Sequence, residues 1–318
     1  MFDDIALHSN SDIPYQQIQY NNVQITIKRL DLVHPHISGN KFYKLKYNFQ
    51  EAQRLGHRQV LTFGGAYSNH IAATAYAAHH SGFASIGIIR GEELRHKPLN
   101  STLATAQRYG MQLHYVSREK YKLKNSPEFL AELNAQFAAY YLIPEGGTNA
   151  LAIQGCKDIL SSDDQADYDL VCCAVGTGGT ITGLIETSAE QQHVLGFSAL
   201  KGDFLTHDVE QLTARKNWRI TDAYCCGGYA KTSTELLNFI HHFEKSYAIP
   251  LEHIYTGKML MGIFDMIDQA QIAKHQRILV IHTESVLSDE KNSLYNEKAM
   301  NVRRAIRRMQ ILFSDTMH

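Results

Sequence analysis

Leu170-Val171-Cys172-Cys173-Ala174-Val175-Gly176-Thr177-Gly178-Gly179-Thr180-Ile181-Thr182-Gly183 is the stretch whose reading decides the fold. Leu170 to Val175 is an unbroken apolar run, the signature of a buried strand. It feeds a glycine- and threonine-rich loop that opens a helix over Thr180–Glu190. Glycines there let backbone N–H groups close on a phosphate, and threonine hydroxyls add donors. The loop is not a P-loop, because the G-K-[ST] ending is missing. Nor is it the dinucleotide fingerprint, because Ile181 stands where the third glycine belongs. An ordinary glycine turn is the competing reading. A phosphate cup without a lysine suits a ligand held covalently elsewhere in the chain.

Working outward, strand-like runs alternate with helical patterns. Strands are predicted at Val23–Lys28, Val60–Phe63, Ala84–Ile89, Gln112–Val116, Val194–Ala199 and Ile278–His282. Helices are predicted at Asn69–His80, Asn100–Tyr109, Pro127–Tyr140, Leu151–Leu160, Ser233–Tyr247 and Lys258–Ala270. This βαβα order predicts an α/β fold with parallel sheets covered by helices on both faces. Such sheets carry their sites at the carboxyl ends of the strands, where the glycine-bearing turns fall.

Composition narrows the function. A chain of 318 residues with 44% hydrophobic residues can bury a substantial core. A formal net charge of -1 calls for neither nucleic acid nor an anionic membrane. No apolar run reaches the length of a membrane span, and Met1 to Asn10 lack the pattern of an export signal. Cys156, Cys172, Cys173, Cys225 and Cys226 make a poor disulfide framework and have no zinc spacing, so they read as buried free thiols. The 17 histidines are scattered, imply no metal and read mostly as surface residues.

Four further segments carry candidate chemistry. Ser38-Gly39-Asn40 suits a tight turn, and Lys41 follows at a helix start. The positive end of the helix dipole disfavours a charged amine, and a neutral amine is what Schiff-base formation needs. An exposed lysine is the plain alternative. Phe63-Gly64-Gly65-Ala66-Tyr67-Ser68-Asn69-His70 runs from a strand through two glycines into a helix, offering N–H groups and a hydroxyl to a carboxylate. Ser68 as a simple N-cap is equally open. Tyr255-Thr256-Gly257-Lys258 precedes a helix, and Ile281-His282-Thr283 closes the last strand. Either could be no more than an element boundary.

Taken in order, these segments resemble the family of D-cysteine desulfhydrases and 1-aminocyclopropane-1-carboxylate (ACC) deaminases. These are pyridoxal-phosphate (PLP) enzymes of fold type II, the tryptophan synthase β-like class. The likeness also rests on Lys28-Arg29-Leu30-Asp31 and Ile143-Pro144-Glu145-Gly146-Gly147-Thr148-Asn149. It implies two three-layer α/β domains with the active site in the cleft between them. Residues 1–44 and 152–318 would form the larger, PLP-binding domain, and 45–151 a smaller inserted one.

The resemblance also implies roles. Lys41 would be the Schiff-base lysine and proton-transfer base, Ser68 would bind the substrate carboxylate, and Asn69 the cofactor 3′-oxygen. Gly176, Thr177, Gly178, Gly179 and Thr180 would cradle the phosphate. Tyr229 and Tyr255 would face the substrate. Thr283 would meet the pyridine nitrogen, where a neutral hydroxyl suits elimination better than transamination.

Thr256 stands where the ACC deaminases carry glutamate, which favours β-elimination from D-cysteine or a similar amino acid. ACC deamination is the alternative. A catalytically impaired PLP-binding or amino-acid-sensing protein is a further one. The implied setting is a cytoplasmic homodimer. The chain departs from the family at Tyr67, where glutamine is usual, and at Glu284-Ser285, where two glycines are usual. Val302–Met309 reads as a basic helix foreign to the family.

Overall fold

The computed structural model describes residues 13–283 except 35, 38 and 138. Glu284, Ser285 and the basic segment 302–309 lie outside the described residues. In chain order the elements are β1 (Tyr15–Tyr20), β2 (Val23–Arg29), α1 (Asn40–Arg54), β3 (Gln59–Gly65), α2 (Asn69–His80), β4 (Ala84–Arg90), α3 (Ser101–Arg108), β5 (Gln112–Val116), α4 (Arg118–Lys122), α5 (Pro127–Gln136) and β6 (Tyr141–Ile143). They continue with α6 (Ala150–Lys157), α7 (Ser162–Asp167), β7 (Leu170–Val175), α8 (Gly179–Thr187), β8 (His193–Ser198), α9 (Phe204–Glu210), β9 (Trp218–Thr221), α10 (Thr234–Tyr247), α11 (Thr256–Asp268) and β10 (Ile278–His282).

Two sheets result. The larger runs β1-β2-β10-β7-β8-β9, and the smaller β5-β4-β3-β6. Every pairing is parallel except β1 with β2. The period-2 alternation of β7 explains the larger sheet's layering. Val171, Cys173 and Val175 pack with Phe42, Leu45 and Phe49 of α1, Cys156 of α6 and Leu184 of α8. Cys172 and Ala174 face Phe243 of α10 and Met259, Leu260 and Ile263 of α11. Covered on both sides, the strand has no polar face. In the smaller sheet, Phe63 and Ile88 pack with Tyr121, Phe129 and Leu133 on one face. Ile89 meets Ile71, Ala75 and Leu103 on the other.

The parallel α/β architecture is as expected, and four elements (α2, β5, β7 and β10) keep the predicted ends. The strands not anticipated, β1, β6 and β9, are all sheet edges. β1 buries only Ile18 fully. An edge strand faces water along one side, so its apolar signal is weak. Pro127–Tyr140 proves too long: Phe137, at φ -114° and ψ 146°, turns the chain out of the helix. Four cysteines are buried free thiols as read, whereas Cys226 is only half-buried. His34, His70 and His282 are not surface residues but buried at 2% exposure or less. No helix among the described residues is long and apolar enough to cross a membrane.

Candidate active site

Lys41 is the second residue of α1, and glycine at position 39 decides where it sits. Gly39 has φ +66°, and a Cβ there would lie 2.3 Å from the carbonyl oxygen of Thr283. Only glycine lets the end of β10 pass against the start of α1. The Lys41 Nζ donates to Asn40 Oδ1 at 2.8 Å, and Asn40 Nδ2 donates to Thr180 Oγ1 at 2.7 Å. Burial first, and then the charge of Lys44, push the Lys41 amine down to about 7. That is the direction a nucleophilic amine needs.

The glycine-rich loop leaves the carboxyl end of β7. Gly178, left-handed at φ 77°, is the N-cap of α8, and among the described residues no side chain caps that helix. The first N–H groups of α8 are thus free of side-chain partners and point as an anion site requires. The loop also fits closely against its neighbours. A Cβ on Gly176 would stand 3.0 Å from the Tyr255 ring, and one on Gly179 would stand 3.0 Å from Thr148.

The glycine-rich loop carries no lysine of its own, as read, but Lys44 of α1 reaches it. One turn along α1 from Lys41, its Nζ donates to Gly146 O at 2.9 Å, Thr148 Oγ1 at 3.0 Å and Thr177 Oγ1 at 3.2 Å. These three acceptors are neutral oxygens, and burial pushes the amine down to about 8. An arriving phosphate would supply the counter-charge. The i, i+3 spacing of Lys41 and Lys44 was the available signal, but on an amphipathic helix it reads equally as two solvated side chains.

The opposite wall is built by the β3–α2 turn. Ser68 is the N-cap residue of α2, yet its hydroxyl makes no capping bond, so the plain N-cap reading fails on geometry. A Cβ on Gly64 would meet Ser68 Oγ at 2.9 Å. Glycine therefore lets the strand pass beneath the serine. His70, next but one, shares a 2.8 Å hydrogen bond between its Nε2 and Thr62 Oγ1. Its Nδ1 has no partner among the described residues. Burial, with the charges of Lys41 and Lys44, holds the ring well below the usual histidine range, hence neutral.

One cavity is lined by Lys41, Asn69, Gly176, Thr177, Gly178, Thr180, Tyr255 and Thr283, together with Lys44 and Glu252. Gly179 sits in the first turn of α8 behind that lining. Ser68 lies one residue before Asn69. Tyr229 is 41% exposed, with its ring centroid 6.1 Å from that of Tyr255. Burial and then the Tyr229 neighbour raise the Tyr255 phenol well above its ordinary value, so it stays protonated. Glu252, which the sequence reading missed, folds back over the start of α11. Its carboxylate accepts from the backbone N–H groups of Ile254 at 2.5 Å, Tyr255 at 2.6 Å and Thr256 at 2.7 Å.

The sequence profile of the family described as "Pyridoxal-phosphate dependent enzyme" matches residues 12–284. A Thermotoga maritima protein named as a candidate 1-aminocyclopropane-1-carboxylate deaminase is 30% identical over 285 residues, covering 82% of this chain and 88% of its own. The bifunctional D-cysteine desulfhydrase/1-aminocyclopropane-1-carboxylate deaminase of Arabidopsis thaliana, a mitochondrial protein, is 29% identical over 84% of this chain and 73% of its own. Among solved structures, an ACC deaminase homologue superimposes with a TM-score of 0.75 at 25% identity, covering 87% of this chain and 90% of that one. The fold is therefore that of the type II PLP enzymes. The cavity suits the cofactor: a near-neutral lysine for an aldehyde, and uncapped helix N–H groups with a buried ammonium for a phosphate.

Proposed function

The chain belongs to the pyridoxal-phosphate-dependent enzymes, and from that premise we propose that it removes the amino group of a small amino acid, foremost by β-elimination from D-cysteine. In that reaction water and D-cysteine give pyruvate, ammonia and sulfide. The observation that carries the reading is Lys41, an amine brought down to about 7 on the wall of the same cavity as the phosphate cup. When bound, the cofactor draws electrons from the substrate α-carbon. In the proposal, Lys41 holds the cofactor and afterwards moves the α-proton at Nζ. The α8 N-terminus, Thr177, Thr180 and Lys44 hold the phosphate.

Asn69 orients the ring through its 3′-oxygen, and Thr283 stands at the ring nitrogen. Ser68 and the first N–H groups of α2 take the substrate carboxylate, and Tyr255 and Tyr229 bound the side-chain end. In the proposed division, residues 1–44 and 152–318 make up the larger domain, which takes the strands of the six-stranded sheet, and 45–151 the smaller, which takes those of the four-stranded one. α1 runs across the first boundary. A homodimer in the cytoplasm rests on the resemblance alone.

ACC deamination is the second reading, and Glu252 favours it. Thr256 replaces the expected glutamate, but the Glu252 carboxylate, bonded to the Thr256 N–H at 2.7 Å, still lines that edge of the cavity. Assaying the PLP-loaded protein for keto-acid release from D-cysteine, L-cysteine, D-serine and ACC decides between the two. Pyruvate and sulfide from D-cysteine support the first. 2-Oxobutyrate from ACC with D-cysteine inert would replace it by the second. A loaded protein that turns over none of the four would refute both.

A further inference from the structure

We propose that Lys258 is a positioning residue whose buried ammonium holds the backbone of residues 225–228, so that Tyr229 stands against Tyr255 on the substrate side of the cavity. The inference rests on the reading of both tyrosines as substrate-facing. Lys258 is 1% exposed, one turn after Tyr255 at the start of α11. Its Nζ donates to Cys225 O at 2.7 Å and to Gly228 O at 2.8 Å. A buried ammonium is costly unless its donors are satisfied, so these carbonyls and the lysine depend on one another.

The segment they pin does not hold its shape through ordinary conformation. Cys226 (φ 53°), Gly227 (87°), Gly228 (120°) and Ala230 (55°) all lie at positive φ. Two of these are not glycine and persist there only if the surroundings impose it. The local turn bonds, Gly228 N to Cys225 O at 3.0 Å and Lys231 N to Gly228 O at 3.1 Å, end on the same two carbonyls that Lys258 engages. Each oxygen has a second lone pair for the ammonium.

Tyr229, at 41% exposure, is not fixed by being buried in a core. Its place follows from the backbone beneath it, and that backbone is tied to the helix whose N-cap residue is Tyr255. One helix start thus supplies one tyrosine directly and sets the other through Lys258.

The test compares PLP-loaded wild type with Lys258→Met, which keeps the length and removes the donors. Amide exchange across residues 225–231 is expected to rise roughly ten-fold or more, as loss of charge-assisted bonds implies, with the rest of α11 unchanged. Lys258→Gln carries the same comparison if the methionine variant does not fold. Unchanged exchange in the loop overturns the clamp whatever substrate the enzyme takes. With the amino acid that the panel identifies, Lys258→Met and Tyr229→Phe should each raise KM while the cofactor absorption stays at its wild-type position. The double variant should be no worse than the worse single one, because both act through the same Tyr229 hydroxyl. Independent, multiplying effects would show that Lys258 does not act through Tyr229.

Discussion

The reactivity of Lys41 can be tested through its pH dependence in the cofactor-free protein. An ordinary lysine titrates near 10.4, so at pH 7.5 only about one in a thousand is neutral. With the amine at about 7, roughly three-quarters is neutral at that pH. The gain in reactive amine is several hundred-fold. Stopped-flow absorbance after mixing apo-protein with PLP at a series of pH values reads this directly. The capture rate should climb from acid pH to a plateau with its midpoint near 7.

Burial is the main cause of the shift and Lys44 the next. In Lys44→Met the midpoint should therefore move up, because a positive neighbour that opposed the ammonium has gone. The same shift has a sign for stability. A lysine neutral in the fold and charged when unfolded makes folding release a proton, so apo-protein stability should rise with pH between about 7 and about 10. A wild-type midpoint near 10, or none of the upward movement in Lys44→Met, would refute the electrostatic argument.

Three further outcomes are expected. Gly179→Val places side-chain atoms where Thr148 stands 3.0 Å and Lys44 Nζ 3.3 Å from the new Cβ. The PLP dissociation constant should rise at least ten-fold, far out of proportion to any fall in apo-protein melting temperature; equal losses would reduce the loop to a structural turn. Ser68→Ala should leave stability nearly unchanged, since the hydroxyl makes no capping bond. It should raise the substrate KM by roughly ten- to a hundred-fold through a lost charge-assisted bond. Unaltered kinetics would remove Ser68 from the site. Gly155→Ala drives a Cβ to 2.0 Å from the Tyr43 carbonyl oxygen where α6 crosses α1. Overpacking against backbone should destabilise the fold by about 3 kcal/mol or more in chemical denaturation; a loss under about 1 kcal/mol would mean that the helices separate easily.

What the sequence disclosed and what it hid follow from local signal. The inner strand β7 is apolar at every position because both faces are covered, and it was legible to the residue, as was β10; the inner strands β2, β3, β4 and β8 were found with ends displaced by one or two residues. β1, β6 and β9 are sheet edges and look like loops. That Lys41 and the glycine-rich loop stand at helix starts was legible because glycine, threonine and lysine at element boundaries each have a conformational reason; that they line one cavity is a finding of the fold. Lys44 was not, because its burial depends on Gly146, Thr148 and Thr177, about 100 or more residues away. Glu252 was hidden for a different reason. It lies in the loop before α11, and its carboxylate reaches forward to the N–H groups of Ile254, Tyr255 and Thr256, which no periodicity reveals. His70 sat inside a quoted motif, yet only the packing of Thr62 and Gly147 around it shows that it is buried and neutral.

The central claim is that Lys41 carries the cofactor, and Lys44, one turn away with its amine also lowered, is the nearest competitor. Reduction of the PLP-loaded protein with borohydride, followed by protease digestion and peptide sequencing by mass spectrometry, tests it most directly. The account predicts a single pyridoxyl group, on Lys41. Finding it on Lys44, on Lys258 or spread over surface lysines would contradict the assignment on which the site is built.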